Sequence, residues 1–303
     1  MGFAAFTLLG VGIATTFVHK PAVVPHAAEA HFTKAAVAEK PPFTVDPTWP
    51  ENVAASAIGA KGYGVLAAHG DQQPRPIASI AKVITCLAIL EKHPLKPGEQ
   101  GPSIPITAKD EEIYHNYVNQ NGSVAFVQAG ESLTERQAIE AMLLPSANNV
   151  ADTAATWAFG SLDKYQAYAN KMLERIKLTD TTVGSDASGL NPSTKSTVRD
   201  LVALGDVALQ NPVLAEVVAE QQTSDLPASG SLPNYNRLVT HHGGNGIKIG
   251  DSDEAGITLL LSTSTTFNDH PVTLIGAVLG ADRSSSPQEN AFRFLESAKQ
   301  SLK

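Results

Sequence analysis

Residues 77–90 read Ile-Ala-Ser-Ile-Ala-Lys-Val-Ile-Thr-Cys-Leu-Ala-Ile-Leu, and a helix built from that run is apolar almost all round. Such a helix has to be covered on every face, so the fold must enclose it in layers of other elements. Its polar side chains are Ser79, Lys82, Thr85 and Cys86. Ser79 and Lys82 are three residues apart and share one helical face. A lysine in apolar surroundings is costly to keep charged. Desolvation lowers its pKa and makes it a candidate general base. A serine beside that base is a candidate nucleophile, and the helix N-terminus adds N–H groups and a positive dipole suited to an oxyanion. Taken alone, the Ser-x-x-Lys pattern is equally a helix cap followed by a lysine reaching to water; the apolar setting is what gives it weight.

The segments around this helix predict strands at both chain ends and helices between them. Residues 56–59 and 63–68 read as a hairpin across Ala60-Lys61-Gly62. Ser132-Leu133-Thr134-Glu135 reads as a capping box opening a helix that ends before Pro145. Helices are expected over 149–159 and 162–176, the second capped by Ser161, and another opens at Thr197-Val198-Arg199-Asp200. After the Gly243-Gly244-Asn245-Gly246 turn come strand-like runs at 247–250, 257–264 and 272–279, then a helix over 288–301. The expected class is α/β of the α+β kind. An antiparallel sheet from both chain ends is flanked by helices, with an all-helical subdomain inserted at about 96–225.

Composition removes several function classes. The chain of 303 residues has 22 Lys+Arg against 30 Asp+Glu, a net charge of −8. With no basic run, no nucleic-acid partner is expected. A single Cys forbids an internal disulfide and any multi-cysteine metal site. Residues 2–18 carry no charge, and Ala28-Glu29-Ala30 has the A-x-A form of a cleavage site, although no Lys or Arg precedes the run. Residues 1–30 are therefore expected to be an export signal or membrane anchor, and 31–50, rich in Ala, Pro and Lys, a linker to a catalytic domain at 51–303. The expected address is extracytoplasmic, with membrane contact only through the first segment.

Two further motifs sharpen the serine–lysine reading. Ser146-Ala147-Asn148 lies between helices right after Pro145, and Lys248-Ile249-Gly250 lies on a strand right after the glycine-rich turn. In this order the motifs resemble the penicillin-recognising serine enzymes with S-x-x-K, S-x-N and K-T-G elements. Within that group the chain most resembles the D-alanyl-D-alanine carboxypeptidases, the low-molecular-mass penicillin-binding proteins with the β-lactamase/transpeptidase-like fold. The phrases Pro76-Ile77-Ala78-Ser79, Leu143-Leu144-Pro145-Ser146-Ala147-Asn148, Ser188-Gly189-Leu190, Ser196-Thr197-Val198-Arg199-Asp200-Leu201 and Gly246-Ile247-Lys248 carry it, over about residues 52–295.

The resemblance implies roles. Ser79 is the acylated nucleophile and Lys82 its base. Ser146 relays a proton to the leaving amine. Asn148 holds the substrate amide and orients Lys82. Lys248 places positive charge near the substrate carboxylate, and Gly250 allows a close backbone approach to the substrate. The Ser79 N–H and one from the strand after Gly250 form the oxyanion hole. The implied partners are peptidoglycan stem peptides, with β-lactams as inhibitors.

The chain also departs from the pattern. Ile249 stands where the family has Thr, and losing a hydrogen bond to a charged acceptor costs about 1.5–3 kcal/mol. Ser252 and Arg283 are candidate replacements for the carboxylate contact. Ala81 and Asn149 stand where Thr and Asp are usual.

Other residues have plainer readings. Cys86, seven past Ser79, is core. His241-His242, read as adjacent strand residues, point to opposite faces and cannot chelate one ion together; no metal and no organic cofactor is expected. Asp110-Glu111-Glu112 opens a helix. A β-lactamase would need a second base, and residues 184–191 contain no Glu. The expected activity is a serine D,D-carboxypeptidase; the alternatives are a D,D-endopeptidase with the same site, or a wall-binding homologue impaired by Ile249.

Overall fold

The computed structural model describes residues 40–303; the expected leader, and the linker up to residue 39, lie outside the described residues. In chain order the elements are β1 (Ala55–Ala60), β2 (Gly64–Gly70), β3 (Arg75–Pro76), a 3₁₀ turn (Ala78–Ile80), α1 (Ala81–Lys92), β4 (Ser103–Pro105), α2 (Ala108–Asn119), β5 (Ser132–Thr134), α3 (Glu135–Leu143), α4 (Asn148–Phe159) and α5 (Leu162–Arg175). There follow β6 (Lys195–Ser196), α6 (Val198–Gln210), α7 (Pro212–Val217), α8 (Arg237–His242), β7 (Ile247–Ser252), β8 (Gly256–Phe267), β9 (His270–Ala281), a second 3₁₀ turn (Arg283–Ser285) and α9 (Pro287–Gln300).

The main sheet has the order β2-β1-β9-β8-β7, antiparallel throughout, so both chain ends do build it. Along β8 the side chains alternate between two cores. Leu259 and Leu261 face α9 with Phe294 and Leu295, whereas Leu260 faces α1 and α6 with Ile84 and Leu204. α1 is buried from Ala81 to Glu91, as its apolar circumference requires. It packs against α3, α4, α5 and α6, and through them the sheet carries the helical layer.

Four expectations need correction. β8 and β9 are longer than the hydropathy suggested, because Asn268 and Asp269, both at positive φ, make a tight hairpin turn that keeps the two strands paired to its tip. The capping box at Ser132 is two residues early. Residues 132–134 pair as a strand with 103–105, so Thr134 becomes the N-cap and accepts from Gln137 N. His241 and His242 close helix α8 rather than a strand. The expected linker is docked from Phe43 onward: Phe43 is buried against Tyr63 and Phe267, Thr44 pairs with Lys303, and Thr48 N donates to Ser297 Oγ.

Candidate active site

Ser79 sits in the 3₁₀ turn that leads into α1. The residue before it, Ala78, has φ +46°, a conformation costly for a residue with a Cβ. The turn is held from the sheet and from the loop before α6. Thr258 on β8 donates to the Ile77 carbonyl at 2.9 Å, and Ile77 N donates to the Thr194 carbonyl at 3.2 Å. One helical turn on, Lys82 is wholly buried. Its amine makes three contacts: Ser79 Oγ at 2.8 Å, Asn148 Oδ1 at 2.6 Å and the Ser188 carbonyl at 2.9 Å. Burial pulls its pKa down to about 7, partly opposed by the carboxylates of Asp186 and Asp152. A neutral amine beside a hydroxyl is thereby accessible near neutrality, the condition for general-base activation of a serine.

Asn148 is the first residue of α4, and its backbone N–H donates to the Ser123 carbonyl at 2.8 Å. Beside it, Asn149 clasps the 120s loop, accepting from Ala125 N at 3.1 Å and donating to Ala125 O at 2.8 Å. Ser146 lies in the turn between α3 and α4 at φ +67° and lines a cavity that also contains Ser79. A serine held in the left-handed region is strained, and the strain presents its side chain to the cleft.

Strand β7 forms the other wall. Lys248 is buried, and its amine donates to the Ile249 carbonyl at 2.9 Å. Burial first, and the neighbouring Lys82 second, hold its pKa well below the ordinary lysine range. Among the described residues no hydrogen bond joins it to Ser146. Gly250 does its work differently from the expectation. A Cβ there would lie 2.8 Å from Ser79 N and 2.5 Å from Thr258 Oγ1. The glycine therefore makes room for the Ser79 turn, bringing the β7 backbone against the Ser79 amide.

The candidate carboxylate contacts are placed unequally. Arg283 pairs with Asp251 at 2.5 Å and Asp253 at 3.2 Å, so internal carboxylates already hold it. Ser252 accepts from Ala255 N at 3.2 Å in the β7–β8 turn. Ile249 packs with the core on the α9 side of the sheet. Arg237, at the start of α8, was passed over in the sequence. It lines the cleft and makes no ion pair among the described residues; its exposed position gave no periodic or motif signal. Asp152, Asp186 and Tyr117 also carried no motif signal as site residues, and with Ser188, noted only within the Ser188-Gly189-Leu190 phrase, they form a buried cluster beside Lys82. A spacing signal for Asp152 was its place four residues after Asn148, on the same face of α4.

Two cavities meet at Ser79. One of about 680 Å³ holds Ser146, Ile249, Tyr235 and Arg237. The other, of about 800 Å³, holds Asn148, Asp186 and Ser252. Arg283 borders both. Among the described residues no group of three or more His, Cys, Asp or Glu is placed to hold a metal ion, and no helix is long and apolar enough to cross a membrane.

Comparisons with known proteins agree on one neighbourhood. The family model described as D-alanyl-D-alanine carboxypeptidase matches residues 45–283. The D-alanyl-D-alanine carboxypeptidase DacD of Salmonella typhimurium is 26% identical over 250 residues, covering 78% of this chain and 60% of that protein. DacB2 of Mycobacterium tuberculosis is 31% identical over 158 residues, 52% of this chain and 50% of the other. The chain thus spans three fifths or less of the length of these relatives. Among solved structures, the Streptomyces K15 DD-transpeptidase superposes with TM-score 0.70 at 20% identity, covering 86% of this chain and 99% of that one. The D-alanyl-D-alanine carboxypeptidase of Mycobacterium tuberculosis H37Rv gives TM-score 0.69 at 23% identity, covering 86% and 95%. At these identities the structural likeness establishes the fold, that of the DD-peptidases.

Proposed function

Because the chain belongs to the D-alanyl-D-alanine carboxypeptidase family, we propose that it is a serine D,D-carboxypeptidase that removes the terminal D-alanine from peptidoglycan stem peptides outside the cytoplasm. The observation that carries this reading is the buried Lys82 amine, 2.8 Å from Ser79 Oγ and 2.6 Å from Asn148 Oδ1. With Lys82 neutral, the 2.8 Å contact runs the other way: the Ser79 hydroxyl donates its proton as Oγ attacks the carbonyl between the last two residues. The oxyanion forms against the Ser79 N–H and the Asp251 N–H on the strand that Gly250 brings close. Ser146, on the leaving side, gives its hydroxyl proton to the departing amine and is reprotonated by the proton that Lys82 took from Ser79, which leaves Lys82 neutral again. Water then cleaves the acyl-enzyme, and Ser79 regains its proton.

Lys248 and Arg237 serve the substrate carboxylate in this scheme. An arriving carboxylate offsets the burial that disfavours a charged Lys248, and Arg237 supplies a charge not committed to an internal partner. No metal or cofactor enters the scheme.

A second reading, D,D-endopeptidase action at the same site, is favoured by the roughly 680 Å³ cavity on the Ser146 side. That space is far larger than one alanine fills, and Ile249 offers it no hydroxyl.

The deciding experiment is intact-protein mass spectrometry after incubation with benzylpenicillin, with Ser79→Ala as control, followed by product analysis on a D-Ala-D-Ala pentapeptide and a cross-linked dimer. A stable adduct lost in Ser79→Ala supports the serine mechanism; no adduct with intact penicillin overturns it. The ratio of the two products separates carboxypeptidase from endopeptidase.

A further inference from the structure

Beside Lys82, bordering the cavity that also reaches Ser79 and Asn148, lies a mostly buried polar cluster that the scheme above leaves unused. Asp152 stands on α4 one turn beyond Asn148, and each of its oxygens has a donor. Oδ1 accepts from Ala187 N at 2.9 Å, and Oδ2 accepts from the Tyr117 hydroxyl of α2 at 2.7 Å. Residues 186–188 are gripped from other directions as well. Thr85 of α1 donates to the Ala187 carbonyl at 2.7 Å, and the Ser188 hydroxyl donates to Asp186 Oδ2 at 2.5 Å while lying 3.2 Å from the Tyr117 oxygen. The product of this grip is one carbonyl, that of Ser188, 2.9 Å from the Lys82 amine. Gly189 follows at φ +76°, where an added Cβ would lie 2.1 Å from the Ala78 carbonyl; the same turn thus also seats against the Ser79 turn.

We infer that Asp152 is a positioning residue for Lys82: it holds the 186–188 turn so that the Ser188 carbonyl stays on the amine, and its negative charge is part of the field that the amine feels. The inference rests on Lys82 acting as the base for Ser79. Asn148 and Asp152 then form a pair on one face of α4, the first touching the amine directly, the second through the turn.

A carboxylate suits the position because it accepts only, and it meets two donors that converge on it. The charged or titratable groups facing it are Lys82 from α1, Tyr117 from α2 and Asp186 from the 186–188 turn. Burial raises the Asp152 pKa to about 6, with the Tyr117 and Ala187 donors opposing the rise. Its carboxylate and the Lys82 amine therefore change charge over adjoining ranges of pH.

The test is the second-order rate of acylation by benzylpenicillin between pH 5 and 9, on the full chain and on Asp152→Asn and Asp152→Ala, each checked by thermal melting. The near-isosteric amide keeps an oxygen for Ala187 N and can donate to the Tyr117 oxygen, so it removes chiefly the charge. Its acid limb is expected to move about half to one unit toward lower pH, since a lysine without its anionic neighbour loses its proton more readily. Its plateau should stay within about threefold of the parent. Asp152→Ala also frees the turn, and its plateau should fall about tenfold or more. If the amide variant does not fold, Asp152→Ser provides the uncharged case. An unmoved acid limb in the uncharged variant, or an unaltered plateau in Asp152→Ala, overturns the inference while leaving the serine mechanism standing. A parent chain that benzylpenicillin does not acylate overturns both.

Discussion

Asn148 Oδ1 accepts a 2.6 Å hydrogen bond from Lys82 Nζ across 66 residues of sequence, and this bond ties α1, which follows Ser79, to α4 on the opposite wall of the cleft. The first expected outcome concerns it. Asn148→Ala should lower acylation by about ten- to a hundredfold, the loss of one hydrogen bond to a charged or basic group, with stopped-flow acylation as the measurement. In the parent chain, acylation should fall as pH drops through about 7, where Lys82 takes up its proton; a rate level down to pH 5 would count against Lys82 as the base.

Ile249→Thr restores a hydroxyl beside the leaving-side cavity. Release of D-alanine from a free pentapeptide should rise by about tenfold or more relative to cleavage of a cross-linked dimer. An unchanged ratio, measured by chromatography of the products, would remove Ile249 as the determinant of preference.

The arginines can be separated by the same assay. Arg237→Ala should raise KM for the free-carboxylate peptide about tenfold, and cleavage of the cross-linked dimer should change less. Arg283→Ala, whose guanidinium already serves Asp251 and Asp253, should leave that selectivity nearly unaltered. Equal effects of the two variants would contradict the assignment.

Gly250→Ala puts a Cβ into the Ser79 turn. Acylation should drop by at least a hundredfold and Tm should fall, because backbone on one side and a bonded Thr258 on the other cannot both yield. Calorimetry paired with the penicillin assay reads both effects.

Away from the cleft, Glu135 is buried at the start of α3, and among the described residues neither carboxyl oxygen has a hydrogen-bond partner. Burial raises its pKa from 4.5 to about 8. The folded chain then binds a proton that the unfolded chain releases between those values, so stability from this group is full below about pH 4.5 and declines as pH rises through about 8. Glu135→Gln should remove that decline. Its stability relative to the parent should improve with pH across the window, by up to about 1.4 kcal/mol per unit. Urea unfolding at pH 5 and pH 8 measures this, and parallel slopes for the two proteins would refute it.

The sequence revealed what depends on chain-local pattern. The apolar circumference of residues 77–90 placed Ser79 and Lys82 in a buried helix, and the turn signals around Ser146 and Lys248 placed those residues at element ends. Less legible was everything decided by packing between distant segments. Arg283 carries the same charge wherever it lies, and only the fold shows that Asp251 and Asp253 occupy it. Gly250 was assigned to substrate clearance because nothing in its neighbours along the chain reveals that the Ser79 turn backs onto it. Asp152 and Tyr117 lie in ordinary amphipathic helices, and their convergence beside Lys82 needs α1, α2 and α4 to be docked. The early placement of the cap at Ser132 has the same origin: a three-residue strand pairing with residues 103–105 took precedence over a good local motif.

The position of β1 in the sheet governs how this chain can be made. β1 lies between β2 and β9, so Ala55–Ala60 can pair on both edges only after Leu274–Leu279 are available. A ribosome or a translocation channel delivers those partners long after β1 itself. The wait is long in sequence, and closing so large a loop is what slows folds dominated by non-local pairing. Until then the apolar α1 segment lacks part of the core that covers it, and the intermediate is open to proteolysis and aggregation. The Ser79 turn, fastened by Thr258 on β8, can thus settle only once β8 has been made.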